Sequence, residues 1–191
     1  MKNIVIGVGN VLFKDEGVGI YAAKYLENNY EFDGDLEIIE GGTLGFKLMA
    51  LFQEYDNVII LDTVSIEDRV GEIFRLPSEV LLGLGQYRKT AHEVEIVEML
   101  EICSVLDKHA EVTILGIIPE DIVSVEIGLT KTIEDRFEEF TLQAIKEIEA
   151  IGVKAIKKDN KSVKTIAQEL IGSYNGEHLT RIPNEEDTTW N

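Results

Sequence analysis

The side chains best suited to chemistry are scattered along the chain. Asp15 and Glu16 lie in "GVGNVLFKDEGVGI", Glu40 and Thr43 in "EGGTLG", Asp62 at the end of "NVIILD", and His92 with Glu93 in "AHEVEIVEML". Carboxylate oxygens and one imidazole nitrogen make a donor set that suits a borderline divalent metal such as nickel or zinc. Such a set can meet an ion, polarise a carbonyl through it or activate water. Each residue also has a plainer reading. Asp15 or Glu16 can serve the N-terminus of the helix that follows, which favours negative charge. Asp62 can cap a turn, and His92 can sit at a helix start on the surface. Only convergence in space separates a site from these.

Convergence needs elements that carry the residues to one place. Asn3 to Val8 reads as a strand and Glu16 to Asn29 as a helix, with Val18, Ala22 and Leu26 one turn apart. Leu36 to Ile39 reads as a strand, "GGTLG" as a turn and Leu44 to Gln53 as a helix. Asn57 to Leu61 is the continuous apolar run of a parallel strand buried on both faces, and it ends at Asp62. Glu72 to Leu76 alternates as a strand stopped by Pro77, and Val80 to Thr90 reads as a loop. His92 to Leu106 reads as a helix, Glu111 to Ile118 as a buried strand, and "DIVSVEIGL" as an edge strand or a cover for the sheet. Lys131 to Ile151 has the period of an amphipathic helix. Loops after parallel strands gather at one edge of an open α/β sheet, where crevices form. The loops bearing Asp15, Glu16, Glu40, Thr43 and Asp62 are all of that kind.

Several chemistries fail on the residues. "GVGNVL" has Leu12 where a dinucleotide fingerprint needs its third glycine, and the acids at 15 and 16 repel a pyrophosphate. No Walker loop or G-x-S-x-G is present, and "HEVEI" has Ile96 where a zinc-protease helix needs its second histidine. Cys103 falls on the apolar face of its helix, where a thiol is packing. An enzyme with this sequence uses a metal or an activated water, and no nucleotide is expected.

The whole composition agrees with one α/β domain. At 191 residues and 45% hydrophobic, the chain can bury a core, and charges interrupt every apolar stretch before it reaches membrane-spanning length. A net charge of −18 repels nucleic acid and anionic lipid, so neither is an expected partner; cations and basic protein segments are. The N-terminus lacks the plan of a secretory signal, and the single cysteine cannot form an internal disulfide; a cytoplasmic protein is expected. The α/β unit is expected over 1–155. Residues 156–191 are expected to be a C-terminal extension with one short helix and a polar tail.

In this order and at these separations, "GVGNVLFKDEGVG", "EGGTLG", "LDTV" and "AHEVEIVEML" resemble the endopeptidases that mature nickel-iron hydrogenases. The likeness covers about the first 120 residues. It implies a three-layer α/β domain with a twisted, mostly parallel central sheet flanked by helices. It also implies removal of a C-terminal extension from the nickel-iron hydrogenase large-subunit precursor after nickel insertion, with the nickel supplied by the substrate. The resemblance places metal contact and catalysis on Glu16, Asp62 and His92, and a possible substrate-contact turn on Glu40, Gly41, Gly42 and Thr43, with glutamate where the family usually has aspartate. It leaves the general base unassigned and does not fix an oligomeric state. Lys14 is expected to point into solvent. The alternative from another class is a noncatalytic, metal-dependent chaperone or binding module for a metalloprotein precursor.

Overall fold

The run "NVIILDT" is buried at every position from Asn57 to Thr63, as a strand covered on both faces must be. In the computed structural model, which describes residues 1–42, 47–83, 98, 101 and 110–176, this is the central strand β4 of a five-stranded sheet. β1 (Asn3–Val8) and β6 (Glu111–Ile117) flank it in parallel, β3 (Leu36–Gly42) lies parallel outside β1, and β5 (Ile73–Pro77) runs antiparallel outside β6. The order is β3-β1-β4-β6-β5. β2 (Tyr30–Asp33) and β7 (Lys154–Lys157) form a separate antiparallel pair.

Period-two alternation divides the sheet's side chains between two cores. Val5, Ile59, Leu61, Leu115 and Ile117 face a layer made by α1 (Val18–Asn29), the long helix Lys131–Ala150 and the helix Val163–Gly176. Ile4, Ile6, Val58, Ile60, Val112 and Ile114 face the other way, toward Phe52 of α2 (Lys47–Glu54) and Tyr55 beyond it. The result is the mostly parallel, helix-flanked α/β domain expected. Short α3 (Ser78–Gly83) follows β5; among the described residues the helices after β6 are α4 (131–150) and α5 (163–176).

Four departures from the sequence reading have physical causes. β3 runs to Gly42 because Gly9 N–H, beyond the end of β1, donates to the Gly42 carbonyl at 3.1 Å, so Gly41 and Gly42 belong to the strand. Residues 80–83 are helical because Ser78 and Glu79 favour a first turn, an influence outweighed in the sequence reading by the glycines downstream. "DIVSVEIGL" makes no strand; its one ladder contact is an isolated parallel bridge between Phe13 and Glu126. β2 and β7 are four residues each, too short for alternation to be read. The helix expected over 92–106 lies outside the described residues apart from Glu98 and Glu101, both helical.

The chain closes on itself through Asn29. Fully buried at the end of α1, it donates through Nδ2 to the Lys161 carbonyl at 3.1 Å and accepts from Lys161 N–H at 2.6 Å. Its own carbonyl accepts from Lys158 N–H at 2.8 Å. The buried cluster extends through Ile166, Ala167 and Leu170 of α5.

Candidate functional site

Two glycines fix how the first loop meets the sheet. Gly9 has φ +132°, and a Cβ there would lie 1.8 Å from the Glu16 carbonyl oxygen. Only a glycine lets the chain leave β1 and fold back so closely on the residue that carries the candidate carboxylate. Gly19, inside α1, approaches the strand ends in the same way: an added Cβ would stand 2.0 Å from the Leu61 carbonyl and 2.4 Å from that of Val8. The helix therefore rests on the C-terminal ends of β1 and β4.

Between these contacts the loop is held by short-range bonds. Asn10 Oδ1 accepts from Leu12 N–H at 3.0 Å, and the Asn10 carbonyl accepts from Phe13 N–H at 3.1 Å. Lys14 then takes φ +43°, a left-handed conformation uncommon for a side chain of this kind, and opens a 3-10 turn over Lys14–Gly17. The turn packs on β4. Glu16, half-buried in it, is thereby brought beside the strand that carries Asp62.

Asp62 is 2% exposed, pairs with Gly116 of β6 and accepts from Thr63 N–H through Oδ1 at 2.7 Å. Glu40 and Gly41, at the end of β3, reach the same edge. Together with Gly9, Asn10, Val11, Ile20 and Gly42 they line a cleft of about 290 Å³. Glu40 is ion-paired with Lys24 of α1 at 2.6 Å, so its charge is compensated at the rim. The glutamate reaches the lysine from the end of the strand.

Asp15 belongs to different machinery. Its carboxylate is fully buried and faces the segment after β6, accepting from the N–H groups of Glu120 and Asp121 at 3.0 Å each and of Thr130 at 2.7 Å, and from Thr130 Oγ1 at 2.9 Å. Thr130 is also the N-cap of α4. Lys14, expected in solvent, is paired with Glu126 at 2.8 Å and its side chain is largely covered. The Glu126 hydrogen bond raises the ammonium above its ordinary value. Tyr21, unremarked in the sequence, braces this arrangement: its hydroxyl accepts from Gly128 N–H at 3.1 Å and donates to the Val11 carbonyl at 3.4 Å, while burial raises its pKa. Nothing local in the sequence marks these residues, because their partners lie more than a hundred positions away or across a loop.

Thr43, His92 and Glu93 lie outside the described residues. Among the described residues, no group of three His, Cys, Asp or Glu side chains is placed to hold a metal ion. The structure thus brings the Glu16 turn, the Asp62 strand and the Glu40–Gly42 end to one edge, while the Asp15 carboxylate is buried against the segment that follows β6. Carboxylates beside parallel strand ends, within a crevice between loops, can meet a cation or accept a proton from a water.

The sheet order and this loop define a mostly parallel α/β domain with acids at one sheet edge, and comparison with known proteins supplies its class: the family model described as hydrogenase maturation protease (HycI) matches residues 20–150. The chain belongs to that family and is a protease. It is 30% identical over 161 residues to the Hydrogenase 2 maturation protease of Escherichia coli, covering 83% of this chain and 98% of that one. The structure of the hydrogenase maturating endopeptidase HybD from E. coli superposes with a TM-score of 0.76 at 31% identity, covering 83% and 98% of the two chains. The [NiFe] hydrogenase maturation protease HybD from Thermococcus kodakarensis shares the fold, with a TM-score of 0.63 at 23% identity over 77% of this chain and 99% of that one. No helix among the described residues is long and apolar enough to cross a membrane.

Proposed function

We propose that this protease removes the C-terminal extension of a nickel-iron hydrogenase large-subunit precursor, and that nickel already seated in the precursor is what it recognises. The observation that carries the reading is the packing of the Glu16 turn on β4, whose end bears Asp62. The turn that carries Glu16 and the strand that carries Asp62 are thus in contact, in a protease whose relatives are named for hydrogenase maturation, and this supports the reading. His92 is the proposed third contact.

On this reading the metal arrives with the substrate. Glu16, Asp62 and His92 meet it when the two proteins dock, so a precursor without nickel lacks the contact that positions its scissile bond. The ion supplies polarisation of the scissile carbonyl or of a water. Glu16 or Asp62 accepts the proton released as that water attacks. The Glu40–Gly42 strand end lines the cleft, and together with Thr43 it is the proposed contact for the extended precursor segment.

Incubating the protein with nickel-loaded and nickel-free precursor, and weighing the products by mass spectrometry, tests this. Loss of the extension from the loaded form alone is expected. Equal cleavage of both forms rejects nickel recognition, and an unchanged mass for both rejects the proposed substrate. Glu16→Gln, Asp62→Asn and His92→Ala should each lower cleavage by about 100-fold or more while the far-ultraviolet circular dichroism is retained. Full activity in all three variants rejects the site.

A further inference from the structure

Residues 120–128 combine rigid anchoring with outward apolar side chains. Val123 is 80% exposed and Val125 77%, and Leu12 of the first loop is 51% exposed. The parallel bridge between Phe13 and Glu126 sets Leu12 beside Val125 in register, so the two segments share one surface. Bonds at several points hold that surface. Asp15 ties its start and Thr130 beyond its end, Asp121 Oδ1 accepts from Val123 N–H and Ser124 N–H at 2.9 Å each, Lys14 N–H donates to the Glu126 carbonyl at 2.8 Å, and Tyr21 holds Gly128. A segment fixed in this way loses little freedom on binding, and apolar side chains presented on it are a pre-formed contact.

We infer that Leu12, Val123 and Val125 form a docking ridge for the body of the hydrogenase large-subunit precursor, outside the cleavage crevice. The inference rests on the proposed substrate. Continuity with the site supplies the occupant: Leu12 lies in the loop that continues into the Glu16 turn, so a protein presented to Glu16 also meets the ridge. The charge around it defines the complementary surface. Glu120, Asp121 and Glu126 flank the valines along the chain, Lys14 pairs with Glu126 at 2.8 Å, and the remaining negative charge fits an apolar patch bordered by lysine or arginine.

The test compares wild type with Val123→Ser/Val125→Ser and Val123→Ile/Val125→Ile, using nickel-loaded precursor. Binding is measured by interferometry and cleavage by steady-state kinetics. The serine variant should bind about tenfold more weakly and raise KM by a similar factor with kcat within about twofold, while the isoleucine variant keeps wild-type values. Both should retain the wild-type thermal midpoint, because the substituted side chains are exposed. Unchanged binding and KM in the serine variant overturn the ridge, as does equal weakening by isoleucine. If wild type binds the precursor without cutting it, the proposed function fails while the binding arm still decides the ridge. If wild type does not bind it at all, both fall.

Discussion

Asp15 and Glu16 are adjacent carboxylates with different work. The buried Asp15 satisfies three backbone N–H groups and a hydroxyl from residues 120, 121 and 130, and so joins two loops. Asp15→Ala leaves those donors unpaired or wetted, and a loss of roughly 3 kcal/mol or more is expected in urea unfolding. Asp121 offers a check on the same segment by pH. The Ser124 hydroxyl and N–H and the Val123 N–H bond its charged form and hold its pKa at about 2, against an ordinary 3.8. Its contribution is therefore complete above about pH 4 and is lost as pH falls toward 2. An NMR titration should show the Asp121 carboxyl and the Val123 and Ser124 amides moving together with a midpoint near 2. A midpoint near 3.8 would contradict the turn. The sequence placed both Asp15 and Glu16 at a helix start, where either charge is favoured. What separates them is a set of donors over a hundred residues away, which no local pattern displays.

At the scale of elements, the strands were legible where burial on both faces made continuous apolar runs, as in β1, β4 and β6. β2 and β7 were not, since four residues carry too little period and their stability comes from each other. The site's edge followed from strand direction alone. Its tightness did not, because it depends on where carbonyl oxygens stand. Gly19 shows the difference: alanine at this helical position improves intrinsic propensity, yet its methyl would meet the Leu61 and Val8 carbonyls. Gly19→Ala should lower stability by about 1–3 kcal/mol by thermal unfolding and, by lifting α1 off the strand ends, slow cleavage as well. A stabilised Gly19→Ala protein would show that α1 packs less closely.

The whole molecule is braced from its far end. α5 buries Ile166, Ala167 and Leu170 against the layer that contains α1, although this segment lies beyond the stretch where the family likeness was read. A chain ending at residue 159 should lose about 3–5 kcal/mol, from the burial of Ile166 and Leu170 alone, and unfold at a lower temperature. An unaltered midpoint would mark α5 as an appendage. The surplus of acids acts at this scale too: with a net charge of −18, association with any basic protein surface is favoured at low ionic strength.

The Asn29 clasp also sets an order of events during synthesis. Asn29 and Lys161 are 132 positions apart, so a ribosome adding 5–20 residues per second makes them between about 7 and about 26 seconds apart. Until α5 is made, the face of the first helix that α5 covers stays open. The nascent protein presents an apolar surface that a chaperone can hold, and the maturing enzyme is itself finished only when its own last elements arrive.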